Sequence, residues 1–266
     1  VPALGWWLDA TLQHHQPTEL PAGDVGGQAL AIPRHAAAAA ATLVDLPDAG
    51  ATANSRVAHS LIQLAKDGSA TLSLTVRATG LPAATLRERL HAEMSRVERI
   101  QIDLAGRYPG VQVQRVTVSG VVPLADEVVV QVQAQVPKLA KGGGDAWSWR
   151  PLAPETPWRK HASQAASRVH PYVAPYAWRD ERHVVVAPAP GCRLLTTPSS
   201  RFQVGGLGSF KVEIAEATAG SWRLSRTVVR GKRVLPAASH AGLATWLATL
   251  DVALGQELRM VRVKAP

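Results

Sequence analysis

The chain has 266 residues, of which 46% are apolar and 18% are charged, which is typical of a folded protein with a substantial core. No apolar run reaches the roughly 18–20 residues that a helix needs to span a bilayer, so no transmembrane segment is predicted. The formal net charge of +9 favours anionic partners, but the basic residues are scattered and indicate only a weak, non-specific bias.

The first fifty residues predict a strand that ends at Leu8 and Asp9, then a loop with several prolines and glycines, and a short strand over residues 29–32. The alanine-rich tract 36–41 has helical propensity, but it is short and has prolines on both sides. We interpret this tract as a poorly fixed connector.

The next segment alternates apolar and polar side chains over residues 57–65 and 70–78. Asp67 and Gly68 join the two runs and predict a β-hairpin, because glycine accepts a positive φ at no steric cost. Pro82 then opens a predicted amphipathic helix that reaches about residue 105. Its charged residues, Arg87 among them, are predicted to face solvent. Its predicted buried stripe consists of Leu86, Leu90, Met94, Val97, Ile100 and Leu104.

The second half also alternates, and it predicts several short strands separated by glycine or proline turns. Residues 205–208, Gly-Gly-Leu-Gly, precede a strand and not a helix, which favours a hairpin turn over a phosphate-binding loop. A second amphipathic helix is predicted over residues 237–254, followed by a closing strand. The predicted strands span residues 111–118, 127–136, 183–187, 194–196, 202–204, 209–215, 222–230 and 258–263.

These elements predict a mostly β (α+β) fold, with β-sandwich-like packing and two amphipathic helices at about 82–105 and 237–254. We divide the chain into three predicted segments. Residues 1–50 form terminal strands and a connector, residues 51–141 form a hairpin, helix and strand half, and residues 142–266 form a Trp- and Pro-rich stretch and a second β half.

One stretch resembles a known family. Residues 5–11, Gly-Trp-Trp-Leu-Asp-Ala-Thr, are similar to the last catalytic strand of bacterial transglutaminase-like proteins. In that family a cysteine, a histidine and an aspartate form a triad in this chain order, and Asp9 matches the aspartate. The resemblance implies that Asp9 would hold the histidine tautomer and stabilise the imidazolium.

The resemblance continues downstream. Asp67-Gly68-Ser69, Thr79-Gly80 and residues 83–87 are similar to the β-rich domain of unknown function that follows the catalytic core in these proteins. The chain therefore resembles the C-terminal part of a transglutaminase-like protein, which implies a bacterial protein that faces the envelope, in the periplasm or outside the cell. A cytoplasmic location stays open.

The triad is incomplete in this sequence. The family places the cysteine and the histidine upstream of the aspartate, whereas Cys192, His14 and His15 all follow Asp9. We therefore expect the chain to be inactive alone, as a cleavage product, an expressed fragment or one subunit of a split cysteine protease or acyltransferase. The expected partner is an upstream segment or second polypeptide that carries the cysteine and histidine.

Two binding functions are the alternatives. Basic charge and eight tryptophans suit nucleic acid, although arginines and lysines do not cluster with the aromatics. An anionic envelope polysaccharide would suit a stacking surface in the Pro-rich region, although packing over the core is the more ordinary role of such residues. The candidate surface consists of Trp147, Trp149, Trp158 and Trp178.

Metal and cofactor sites are not predicted. The nine histidines show neither HxH nor HExxH spacing. Cys192 is the only cysteine, which excludes an internal disulfide and a cysteine-based zinc site. We expect its side chain to be a half-buried apolar group.

Overall fold

The computed structural model describes residues 7–32, 41–161 and 167–263. Strands dominate these residues, which confirms the mostly β, α+β class. The described helices are α1 (Leu81–Leu90), α2 (Arg96–Ala105) and α3 (His240–Leu254). The described strands are β1 (Gln28–Ala31), β2 (Thr42–Asp45), β3 (Ser55–Leu64), β4 (Ala70–Thr79), β5 (Gln112–Ser119), β6 (Glu127–Val136), β7 (Lys141–Gly143), β8 (Ala146–Trp149), β9 (Tyr172–Val173), β10 (Trp178–Ala187), β11 (Cys192–Leu195), β12 (Ser199–Val204), β13 (Gly208–Glu216), β14 (Trp222–Arg230), β15 (Val234–Leu235) and β16 (Leu258–Arg262).

The largest sheet has eight described strands in the order β12-β13-β14-β10-β3-β4-β6-β5. Its two halves are antiparallel and are joined by one parallel pair, β3 with β10. A parallel pair requires a long crossover, and here more than a hundred residues separate the two strands in sequence. The order of the central strands therefore depends on contacts between distant segments.

The two faces of this sheet differ sharply. Period-two alternation sends one set of side chains to an inner, buried face and the other set to an outer, polar face. On β6, for example, Val128, Val130 and Val132 are buried, whereas Gln131 and Gln133 are exposed. The helices and the four-stranded sheet β11-β16-β8-β7 share the hydrophobic core with the inner face.

The first predicted helix is interrupted, which corrects the single span of 82–105. Ala92 has an extended backbone with ψ 105°, and a short 3-10 turn at Glu93–Ser95 separates α1 from α2. Met94 is fully exposed and Val97 is 45% exposed, so the continuous stripe does not exist. The break lets each short helix bury a different face, and α1 buries Arg87 together with Leu90.

The second predicted helix is present with a later start. A 3-10 turn at Ala237–Ser239 precedes α3, which buries Leu243, Trp246 and Leu250. The closing strand is β16, and the turn at Gly205–Gly208 is a hairpin turn in which the Gly205 N–H donates to the Gly208 carbonyl at 2.7 Å. Strand β1 agrees with the strand predicted at 29–32, whereas most of the 36–41 connector lies outside the described residues.

Asn54 fixes the start of the parallel pair. Its side-chain amide donates to the Ala177 carbonyl at 3.1 Å, and its Oδ1 accepts from the Leu81 backbone N–H at 3.0 Å. The Arg179 N–H donates to the Asn54 carbonyl at 3.0 Å. The buried asparagine thus joins the beginning of β3, the beginning of β10 and the first turn of α1.

Arg87 joins two separate loops from a fully buried position, which corrects its predicted place on a solvated face. Its guanidinium donates to the carbonyls of Gly120, His14 and Ala125. Its Nη1 also lies 3.6 Å from Glu19 Oε2. The charge is tolerated because carbonyl oxygens and a carboxylate surround it.

One hydrophobic core includes residues from both sides of the predicted boundary near residue 141, and the large sheet crosses that boundary. The three-segment division stays a prediction. No helix in the described ranges combines the length and the apolar character that a bilayer crossing requires.

We predict that Arg87→Met destabilises the fold by about 3 kcal/mol, because it leaves buried carbonyls and a carboxylate without a donor. Urea unfolding measures the change in free energy. The matched control is Arg89→Met on the same helix, where the ion pair with Asp103 is exposed and the loss should stay below about 1 kcal/mol. Equal losses of unfolding free energy in the two variants would contradict the stabilising role of the buried Arg87 hydrogen bonds.

Candidate ligand-binding site

Asp9 lies in a surface turn and not at the end of a described strand; residues 1–6, which would hold most of the predicted strand, lie outside the described residues. Its Oδ1 accepts from the Thr11 backbone N–H at 2.8 Å and from Thr11 Oγ1 at 2.6 Å. The Thr11 hydroxyl, followed by its backbone N–H, lowers the pKa of Asp9. The carboxylate is therefore ionised and held in place.

His15 lies near enough to Asp9 for its charge to lower the pKa of that carboxylate, but no hydrogen bond between described residues joins the two side chains. His14 stacks on His91 with ring centroids 5.2 Å apart. Burial, ahead of nearby charges, lowers the pKa of His15. Cys192 is half-buried in β11, where it pairs with Arg262 of β16, in agreement with the expected apolar role. The described residues therefore do not bring a cysteine and a histidine together with Asp9.

The four tryptophans of the predicted surface are separated by the fold. Trp147 is only 5% exposed and packs in the core, so it is not part of an exposed stacking surface. Trp149 is half-buried at the end of β8, where it pairs with Leu258. Trp158 and Trp178 do meet, with ring centroids 5.7 Å apart and planes tilted by 36°.

Trp158 is positioned from α3. It begins a short 3-10 helix, Trp158–His161, whose first backbone N–H groups need acceptors. Asp251 of α3 supplies them: its Oδ1 accepts from the Trp158 N–H at 2.7 Å, and its Oδ2 accepts from the Arg159 N–H at 3.0 Å. One carboxylate thus fixes the backbone that carries the indole.

Trp178 is positioned by its cross-strand neighbour. It begins β10 on the inner face, directly opposite Arg230 of β14. The Arg230 guanidinium lies 5.0 Å from the centre of the Trp178 ring, within the range of a cation–π contact. Its Nε and Nη2 donate to the Tyr176 carbonyl at 3.2 and 2.8 Å. The indole and the cation are therefore held as a unit.

These side chains surround a cavity of about 420 Å³, which we call the aromatic pocket. Its volume falls within the range of small-molecule sites, roughly 300–1,000 Å³. The pocket lies between β10, β14, the 158–161 turn and α3. Its lining consists of Trp158, Tyr172, Trp178, Leu207, Val228, Arg230, Leu243, Trp246 and Leu247.

The described lining of the pocket offers stacking surfaces and a cation, and the Tyr172 phenol is its one acid–base group besides Arg230. Its described lining contains no carboxylate, imidazole or thiol, and Arg230 carries its charge. Burial lowers the pKa of Arg230, but a guanidinium stays charged because its ordinary pKa is so high. A ligand with an apolar or planar ring and a carboxylate could stack its ring on the indoles and pair its carboxylate with Arg230.

The sequence located part of this pocket. Trp158 and Trp178 were predicted as surface residues, and residues 237–254, which include Leu243, Trp246 and Leu247, were predicted as an amphipathic helix. Tyr172 and Arg230 were missed. The sequence does carry a signal for Arg230. It follows Val228 by two residues in β14, so period-two alternation places it on the same strand face as the buried apolar residues.

Potential metal ligands do not converge. His59 and His183 stack on the outer face with ring centroids 4.7 Å apart, and Glu181 Oε2 lies 3.3 Å from His183 Nε2. Within the described ranges, however, no group of three or more histidine, cysteine, aspartate or glutamate side chains could hold a metal ion.

Comparison with known proteins is sparse. No family model matches the sequence, and no curated protein matches it. A crystal structure from Parabacteroides distasonis, described as a "putative protease", shares 15% sequence identity with the chain. The match covers 45% of this chain and 24% of that chain, with a TM-score of 0.37. At these values the likeness does not establish a common fold, and membership of the transglutaminase-like proteins stays a prediction.

We predict that Gly205→Ala disturbs the pocket wall. A Cβ atom at this position would lie 2.5 Å from Trp246 Cδ1, so the indole must move. The expected loss is about 1–3 kcal/mol in unfolding free energy, as for an overpacked core. Gly231→Ala is the control because its Cβ would meet nothing within 4 Å, and it should stay within about 0.5 kcal/mol. An equally stable Gly205→Ala would contradict the close packing of Trp246.

Proposed function

We propose that this chain is a non-catalytic binding region that offers a surface to a partner or substrate. The observation that carries this proposal is the aromatic pocket, which combines indole surfaces with the Arg230 cation and holds no acid–base or nucleophilic group from the described residues other than the Tyr172 phenol. Such a lining recognises a group without transforming it.

We further propose that this region belongs to a transglutaminase-like protein of the bacterial envelope, where it completes the catalytic core with Asp9. The support is the sequence of residues 5–11 and the position of the carboxylate. Asp9 is accessible from solvent, and both Thr11 hydrogen bonds end on Oδ1. Its Oδ2 accepts no hydrogen bond from the described residues, so it could orient a histidine supplied by another segment or polypeptide.

The first experiment is co-purification and intact mass measurement from the native source. A tightly associated polypeptide with a cysteine and a histidine would support the split triad. Purification of the chain alone, as a stable monodisperse protein, would contradict the role of Asp9 and leave a stand-alone binding module.

We predict that Asp9→Asn in that complex lowers peptide hydrolysis or acyl transfer by roughly 10³–10⁴-fold, because the amide cannot hold the correct histidine tautomer. Rates under saturating substrate measure the effect, and co-purification shows that the complex still forms. Asp24→Asn is the control, an exposed aspartate of the same N-terminal loop, and should retain full activity. Full activity of Asp9→Asn would refute the triad role.

An anionic envelope polysaccharide is the second candidate, and a specific contact favours it. Arg230 lies over Trp178, and Arg226 lies 5.5 Å from the centre of the Trp158 ring. An acidic sugar could stack on an indole while its carboxylate faces a guanidinium. Nucleic acid would use the same residue types, but it would also require a wide basic path for its phosphates.

We predict that Trp178→Ala weakens binding of a uronic acid oligosaccharide roughly tenfold, the equivalent of one lost stacking contact. Tryptophan fluorescence titration measures the affinity. Trp7→Ala is the control because Trp7 is 37% exposed and does not line the pocket. The absence of saturable binding by the wild type would refute the sugar hypothesis. A steep loss of affinity with salt for a single-stranded oligonucleotide would favour nucleic acid instead.

A further inference from the structure

A second cavity, of about 230 Å³, lies against the inner face of the large sheet under α2. We call it the arginine cavity. Apolar side chains from β4, β6 and α2 form much of its wall. The polar lining that matters is Arg56, Arg107, Arg182, Arg226, Asp180 and Tyr108.

Two of these arginines are direct cross-strand neighbours. Arg182 of β10 lies opposite Arg226 of β14, and the two residues are 7% and 6% exposed. Like charges at directly opposite positions destabilise a sheet, and burial increases their repulsion because water no longer screens it. Two adjacent buried cations therefore require compensating negative charge.

The described residues supply that charge only in part. Asp180 Oδ1 accepts from Arg226 Nη2 at 2.6 Å, and its Oδ2 lies 3.8 Å from Arg56. Arg182 Nη2 donates to the Tyr108 hydroxyl at 2.6 Å, which is neutral. Burial raises the pKa of Tyr108, so this phenol stays protonated and brings no charge. Within the part of the chain that the structure describes, Arg182 therefore has no carboxylate partner.

Several buried N–H donors remain without an acceptor among the described residues. They are Arg107 Nη1, Arg182 Nε and Arg226 Nε. The other acids of the lining do not serve them: Asp103 pairs with Arg89, and Glu155 is exposed beside Gly106. A buried charged donor that lacks a partner costs much of its desolvation free energy, which an anion would offset.

We propose that the arginine cavity binds a small oxyanion, a carboxylate or a phosphate group, held by Arg107, Arg182 and Arg226. Planar guanidinium groups donate paired hydrogen bonds to such oxygens, which makes arginine the usual residue for this task. The side chains of Arg56 and Asp103 are partly exposed, so the anion would enter the cavity from the side that these two residues line. The site does not depend on the aromatic pocket, although Arg226 contacts Trp158 at the boundary between them.

Isothermal titration calorimetry at low ionic strength tests the proposal, with inorganic phosphate and malonate as separate probes. The wild type should bind one probe saturably at one site per chain. Arg182→Met should weaken that binding at least tenfold. Arg223→Met is the matched control, because it removes the same charge from the exposed face of β14. It should bind as the wild type does.

Thermal unfolding in anion-free buffer separates lost binding from lost folding. Arg182→Met should unfold at a temperature no lower than the wild type, since it removes a buried charge without a charged partner. If this variant does not fold, Arg107→Met carries the same expectation for binding, since Arg107 lines the cavity from the turn that follows α2.

Two outcomes would overturn the proposal: no saturable binding by the wild type, or equal weakening in Arg182→Met and Arg223→Met, which would indicate general surface charge. Tighter binding of phosphate would assign the site to phosphorylated ligands, and tighter binding of malonate would assign it to carboxylates. Trp178→Ala should bind the anion with wild-type affinity. The test of the arginine cavity therefore stays valid even if the aromatic pocket binds no ligand.

Discussion

The parallel pairing of β3 with β10 is the contact that holds the large sheet together, and the inner face of that sheet lines both cavities. It joins two antiparallel halves into one continuous sheet, with Ser55 opposite Arg179 and Gln63 opposite Ala187. A shift of one residue would move every inward side chain of β10 to the outer face. Asn54 holds the register at the beginning of the pair, because it bonds to the residues before β10 and to the start of α1.

The antiparallel register of β10 with β14 explains why the polar groups of the core lie together. Trp178, Asp180 and Arg182 alternate along the inner face of β10, and β14 places Arg230, Val228 and Arg226 opposite them. The aromatic pocket forms at the Trp178 end, where α3 and the 158–161 turn cover the sheet. The arginine cavity forms further along the strands, under α2. One strand pair thus contributes to two chemically different recesses.

Buried arginine has opposite consequences in the two parts of the fold where it occurs. Arg87 is surrounded by carbonyl oxygens and by Glu19, so its charge stabilises the loops that it joins. Arg182 has a neutral phenol and a second arginine as neighbours, so its charge is a cost that the fold carries. In our proposal a bound anion offsets that cost at Arg182, whereas Arg87 is already compensated by the loops around it.

Period-two alternation and the turn residues were enough to predict most of the longer strands, the hairpins at Asp67-Gly68 and Gly205–Gly208, and the mostly β class, because these depend on neighbours in sequence. The short strands β2, β9 and β15 and the first half of β10 were missed. The burial of Arg87, the break at Ala92 and the meeting of Trp158 with Trp178 could not be predicted in this way. Each depends on which distant segment covers a given face, and a charged residue on a helix or an indole in a loop has the same local pattern whether it is buried or exposed. The sequence by itself determined the alternating strands; only the tertiary structure decided which side chains share a cavity, because a parallel pair between distant strands leaves no local signal.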